Sequence, residues 1–391
     1  MTTWRLSKYI SQEVLAPMAI SLAILSFVLL MGNLLKLTDL IINRGVPIRD
    51  IAMLFLYLLP SFFDITLGMA FLIGILIGFS RLSTDHEIVA MKAAGISLWR
   101  MTRPIVAIAL ITTVVLAGIS FYAKPLGRKN FKAQVFQILQ NRIGKGLEPM
   151  VFFHDFEDVV LFAREVEQNG QMRGIFLYDN RDPEITSTIS AESGRLFSNQ
   201  SAMTFSILLQ NGALHNHALS GKDTSYRVMN FANYDLNLSF ADKSEGKAPR
   251  LNPKEMTFQE ILTGTGSTPK QQRQMDVEFH KRLALCIVPL LFVLIGIPLG
   301  ICSPRSGRMG GFSFSLVVFL AYHLLSSFSE TLCLEHMQMP LGVLWLPDLF
   351  FLLTGLFLYH AAAAEMAPRW LTGLIALFTG KLLRRHPHAH S

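Results

Sequence analysis

The sequence predicts an α-helical membrane protein with six transmembrane helices and an inserted periplasmic all-β domain, jelly-roll-like in kind. Three observations predict it. Hydrophobic residues make up 51% of the chain and charged residues only 16%, far from the balance of a soluble domain. Six apolar runs reach the roughly 20 residues needed to cross a hydrocarbon core. Between the third and fourth runs the hydrophobic period drops from 3.6 to 2, the mark of strands.

The runs are Val14 to Leu35, Ile51 to Ser80, Ile105 to Ala123, Leu283 to Ser303, Met309 to Ser329 and Leu341 to Ala364. Arg5 and Lys8 are the only basic residues ahead of the first run, and no small-residue cleavage site follows it, so it is read as a retained helix. Lys and Arg resist translocation and collect in short cytoplasmic connections. With the N-terminus inside, the inner segments hold Arg5 and Lys8, then Arg81, Lys92, Arg100 and Arg103, then Arg305 and Arg308, then Arg369, Lys381, Arg384 and Arg385. The short outer loops hold only Lys36, Arg44 and Arg49. Both termini and the stretch Arg81 to Pro104 are therefore expected in the cytoplasm, and residues 124–282 outside it. The formal charge of +7 needs no nucleic acid, because basic residues beside anionic inner-leaflet lipid account for it.

In the outer segment, Met203, Phe205, Ile207 and Leu209 share one face, as do Tyr234, Leu236, Leu238 and Phe240. Shorter strands are expected at MVFFH from Met150, VVLFAREV from Val159, GIFLYDN from Gly174 and TSTISAESG from Thr186. Asn211-Gly212, Asp182-Pro183 and Ser220-Gly221 supply turn chemistry, and strands at this spacing argue for an antiparallel sandwich or jelly roll. The expected divisions are residues 1–123 for spans one to three, 124–245 for the β domain, 246–279 for a connector, 280–364 for spans four to six and 365–391 for a tail. In the connector only Lys254 to Leu262 reads as helical. In the tail, Trp370, Leu374 and Phe378 recur at i+4 ahead of Lys381, Arg384 and Arg385, the pattern of a helix lying in the inner-leaflet interface.

Residues 81–104 mix charge with apolar residues at helical spacing. Thr84 and Glu87 have the spacing of a capping box, which predicts a short helix through Ile88 to Ala94 that ends at Gly95, a good left-handed terminator. Ser97 then caps the next helix, which carries Leu98 and Trp99 at the membrane surface. Ile88 and Met91 share a side of this elbow, and Ala90, Ala93 and Ala94 permit close approach. A docking partner explains the pattern, and so does an elbow floating on lipid headgroups.

Other chemistry is sparse. Gly264 to Lys270 lacks the spacing of a phosphate loop, and no H-E-x-x-H or C-x-x-C occurs. Cys286 and Cys302 sit at opposite ends of one span, roughly 24 Å apart, so no disulfide is expected. No catalytic residue, metal site or cofactor is expected; the tail histidines His386, His388 and His390 read as uncaged. His154, Asp155, Glu157 and Asp158 form one dense polar group, read as a solvated turn. Asp64, His323 and Asp348 lie within spans, where an unpaired charge costs a few kcal/mol; the two carboxylates are expected to reach water or a neighbouring helix. Lys36 closes the first span, where its cation either snorkels to bulk headgroups or meets the phosphate of a held lipid.

Three strings carry a family resemblance: the elbow LSTDHEIVAMKAAGIS, the fourth-span start EFHKRLALCIVPLLFVLIGIPLGI, and WLP at Trp345 to Pro347. With the order of spans and the β insert, they resemble the lipopolysaccharide-export permeases LptF and LptG, also called YjgP/YjgQ. The SPRSGR turn at Ser303 to Arg308 and the basic Lys36 are more similar to the LptF branch, whereas the tail is longer than that pattern requires. The resemblance implies a permease subunit of an ABC transporter that extracts lipopolysaccharide from the inner membrane and passes it to the periplasmic bridge. It implies an LptB-like ATPase dimer carrying the ATP site, an LptG-like sister permease in a heterodimer, and an LptC-like bridge protein. On the residues, it implies that Glu87, Ile88, Met91 and Gly95 couple to the ATPase and that Lys36 meets lipid A phosphates. The rival classes are a lipoprotein-release or mechanotransmission ABC permease, which usually has four spans, and a membrane enzyme acting on lipids.

Overall fold

Apolar runs of this length bury backbone amides only as helices, and each of the six runs is helical, the last opening with a 3-10 turn at Leu341–Trp345. The computed structural model describes residues 2–42, 47–144, 149–156, 158–167, 171–181, 185–199, 204–218, 226–239, 252–264, 268–302, 307–335 and 341–364. The helices are α1 (Thr2–Ile42), α2 (Ile48–Thr84), the short α3 (Glu87–Ala93), α4 (Leu98–Gly118), α5 (Lys124–Gly144), the short α6 (Phe258–Thr263), α7 (Pro269–Cys302), α8 (Gly307–Glu335) and α9 (Leu346–Ala363). A π-helical turn, Ile119–Ala123, joins α4 to α5. Among the described residues, six helical stretches are long and apolar enough to cross a membrane, and the chain divides into two compact units. The tail and, in the connector, residues 246–251 and 265–267 lie outside the described residues; a 3-10 turn at Pro253–Glu255 and α6 replace the single helix expected there from Lys254 to Leu262.

In the helical unit α2 and α7 are central. Their most apolar stretches are 78% and 67% buried, against 11% for the first helix and 17% for α8. Close approach is set by glycines: a Cβ on Gly296 or Gly300 of α7 would meet Ile75 Cγ2 at 2.9 Å or Phe79 Cβ at 2.7 Å on α2. On the other face of α2, Gly74 and Gly78 bring α1 so near that a Cβ would meet the Val14 carbonyl at 2.7 Å and the Glu13 carbonyl at 2.8 Å. Gly74 and Gly78 form the four-residue small-residue spacing that lets helices in lipid touch through their backbones. Cys286 and Cys333 are free and buried.

The β unit is a six-stranded antiparallel sheet: β1 (Phe152–Phe156), β2 (Val159–Val166), β3 (Gln171–Asp179), β4 (Ile185–Asn199), β5 (Thr204–Ala218) and β6 (Tyr226–Ser239). All six were legible as strands. The strands pair in chain order as a meander, so the antiparallel β domain is as expected while the jelly-roll reading is refined to sequential pairing. One expectation is corrected: Asn211-Gly212 makes no hairpin turn but lies inside β5, where Asn211 has φ 50°.

That conformation belongs to a line crossing the sheet. Ladder partners are skipped at Arg164, Gly174, Glu192, Asn211 and Ala232 on consecutive strands, and Gly174 has φ 62°. Inward residues alternate by two on either side but are separated by an odd number across the line, as at Met172 to Ile175 and Leu209 to Leu214. Residues from both sides share one core. The sheet therefore folds over itself and buries one face, with no second sheet among the described residues, and Phe136 of α5 packs on Phe205 at its core, ring centroids 4.7 Å apart. At this line a Cβ on Gly212 would meet the Ser190 carbonyl at 2.3 Å and the Phe231 ring at 2.5 Å. Gly212→Ala is expected to destabilise the β unit by about 1–3 kcal/mol through overpacking, seen as faster proteolysis of the sheet in the purified chain; unchanged proteolysis would show that the line tolerates a side chain.

Candidate functional site

The elbow begins where α2 ends. Thr84 does not cap α3: its hydroxyl donates to the Ser80 carbonyl, 2.8 Å, within the last turn of α2. The N-cap is instead His86, left-handed at φ 60° and without a side-chain capping bond. The expected Thr84–Glu87 capping box is thus not formed, because the Thr hydroxyl has an acceptor one turn back and Glu87 is the first helical residue. Both Glu87 carboxylate oxygens accept from the Tyr9 hydroxyl of α1, each at 2.9 Å. At the other end the sequence reading holds. Gly95 takes φ 79°, its N–H donates to the Lys92 carbonyl at 2.9 Å, and the Ile96 N–H donates to the Met91 carbonyl at 3.0 Å, a Schellman closure. Ser97 then accepts from the Arg100 N–H at 3.4 Å as the cap of α4.

Packing decides which face of α3 is presented. Ile88 is 2% exposed and Met91 half-buried, both seated in a core with Ile10, Val14, Phe79, Leu82, Leu98 and Met101. The outward residues are Val89 and Trp99, 63% and 55% exposed, with Asp85, Ala90, Ala93 and Gly95. Beside them Arg81 donates to both Glu13 oxygens at 2.8 and 3.1 Å and lies 3.7 Å from Asp85. The sequence reading missed Tyr9 and Glu13; the signal was the spacing of Leu6, Tyr9, Ile10, Glu13 and Val14, an inward stripe ahead of the first apolar run.

Two of the three intramembrane polar residues reach neighbouring helices. Asp64 of α2 pairs with Lys124 at the start of α5, both side chains nearly buried, and Asp348 of α9 accepts from the Tyr322 hydroxyl of α8 at 2.9 Å. The π turn just before Lys124 is one of the irregularities that re-aim a helix. His323 is exposed and stacks on Phe319, centroids 5.9 Å apart.

Residues 8–361 match the family described as lipopolysaccharide export system permease LptF/LptG. The chain belongs to the LptF/LptG family. It is 20% identical over 323 residues to the lipopolysaccharide export system permease protein LptF of Escherichia coli (strain K12), covering 82% of this chain and 85% of that protein. It is 24% identical over 189 residues to RP871, an uncharacterized protein of Rickettsia prowazekii (strain Madrid E), covering 48% of this chain and about half, 52%, of that one. The lipoprotein-release and mechanotransmission alternatives gain nothing from these matches.

In this LptF/LptG chain Lys36 falls in the last third of α1, but its side chain lies outside the described residues. So do those of His154, Asp155 and Glu157; Asp158 occupies a turn at φ 58° between β1 and β2. Among the described residues no group of three or more His, Cys, Asp or Glu is placed to hold a metal. The family string at the start of the fourth span has a structural meaning the sequence did not reveal. Arg282, 1% exposed, donates to Glu278 at 2.9 Å, to the Met256 carbonyl at 2.7 Å and to the Pro253 carbonyl at 3.1 Å. It holds the segment before α6 against α7, where Phe258 also packs edge-on against Phe121 at 5.1 Å.

Proposed function

We propose that this chain is the transmembrane permease subunit of an ABC transporter that extracts lipopolysaccharide from the inner membrane and hands it to a periplasmic bridge. An LptB-like ATPase dimer hydrolyses ATP, an LptG-like permease completes a heterodimer, and an LptC-like protein receives the lipid. The termini and the elbow face the cytoplasm and the β unit the periplasm, in keeping with the Lys and Arg bias. The observation that carries the reading is the family match over residues 8–361, and the elbow supports it. A short helix rooted through Ile88 and Met91 in its own core, stopped sharply by Gly95, presents Val89, Ala90 and Ala93 as a shallow apolar seat for a partner. Glu87 serves beside that seat, since a carboxylate has lone pairs left after accepting from one hydroxyl.

Purification from native membranes in mild detergent tests this. A stoichiometric ATPase and a second permease of the same family are expected; a chain recovered alone, or with a soluble enzyme, contradicts it. Lys36 is the proposed contact for lipid A phosphates, as a cation at a lined cavity attracts phosphate strongly and one in water little. Lys36→Glu is therefore expected to lower co-purified lipopolysaccharide well below Arg44→Glu, with equal protein yield. Equal lipid retention by both would assign Lys36 to bulk headgroups.

A further inference from the structure

We infer that Tyr9 is a positioning residue that ties the elbow to the first helix, so that displacement of the elbow during the ATPase cycle moves α1. This rests on the proposed transporter role. Among the described residues helix α1 is gripped most firmly near its beginning: Ile10 and Val14 are fully buried, the backbone touches α2 at Gly74 and Gly78, and the most apolar stretch of the helix is only 11% buried. Further along, Ser26 and Thr66 are in a long 3.4 Å contact.

The grip has a fulcrum and a handle. Pro17 cannot donate to the Glu13 carbonyl four residues back, and it is this carbonyl that Gly78 approaches, so α1 is least stiff where it crosses α2 most closely. On the near side of that crossing Arg81 of α2 bonds Glu13, an exposed link, and Tyr9 bonds Glu87 of the elbow itself, a half-buried one. The Tyr9–Glu87 bond joins α1 to α3 directionally. Charge-assisted hydrogen bonds of this kind are roughly twice as strong as neutral ones. A push on α3 is thus transmitted to the near end of α1 and through it along the helix on which Lys36 lies.

Tyr9→Phe removes the hydroxyl and nothing else. In the reconstituted complex the expected result is lipopolysaccharide released per ATP hydrolysed reduced about fivefold or more, with ATPase stoichiometry and hydrolysis rate unchanged. Unchanged release per ATP overturns the inference, and so does a loss of release that merely follows a loss of ATPase stoichiometry, which marks Tyr9 as an assembly residue only. A fluorinated tyrosine of lowered phenol pKa at position 9 adds a reversible signature: below its pKa it donates and couples, and as pH rises through that pKa the phenolate cannot donate and release per ATP falls. A pH profile identical to that of the native complex overturns the inference. Failure to recover any ATPase with the native chain instead defeats the transporter reading itself.

Discussion

Replacing Arg282 by alanine is expected to cost about 3–5 kcal/mol of stability, the usual penalty for leaving one member of a buried ion pair unpartnered. The change strands the Glu278 carboxylate and removes the donor from two carbonyls that precede α6. The thermal midpoint of the detergent-purified chain should fall by many degrees. The companion variant separates charge from shape: Glu278→Leu with Arg282→Met removes both charges and should recover most of the loss, because a buried pair exchanged for apolar residues of similar volume is often neutral. A single Arg282→Ala variant as stable as the native chain would mean that the segment before α6 is held by its aromatic contacts alone.

Reversing the charge of Glu87 is expected to abolish ATP-driven lipid release. Like charges brought together at an interface cost several kcal/mol, enough to weaken retention of the ATPase by about a hundredfold. The same substitution removes the acceptor for Tyr9, so Glu87→Arg loses both assembly and transmission, whereas Tyr9→Phe loses transmission alone. Glu87→Ala should fall between them. Normal ATPase retention and full release by Glu87→Arg would remove the elbow from the coupling site.

Length and period made the architecture legible. Six apolar runs became helices and six alternating segments became strands, because in both cases the pattern is set by which face must be buried. Where the reading failed, one residue had two physically sensible uses. Asn211-Gly212 offers left-handed residues that suit a hairpin turn or a bend inside a strand, and only the ladder partners on four other strands decide between them. Thr84 can cap the helix ahead or bond one turn back, and α2 running on to Thr84 settled it. Ile88 and Met91 were correctly placed on one face of the elbow, but sequence does not reveal that this face is turned toward the chain's own core. Arg282 was quoted within a family string, yet its partners at 253 and 256 lie across a break that no periodicity spans.

Export of lipopolysaccharide driven by an ATPase seated on this chain is tested by release of labelled lipopolysaccharide from liposomes holding the purified complex to a soluble periplasmic acceptor. Release is expected to require ATP hydrolysis, to stop when the ATPase is made hydrolysis-deficient and to be abolished by Glu87→Arg. Release that proceeds equally without ATP, or an ATP-dependent complex that moves a different lipid and leaves lipopolysaccharide in place, would contradict it.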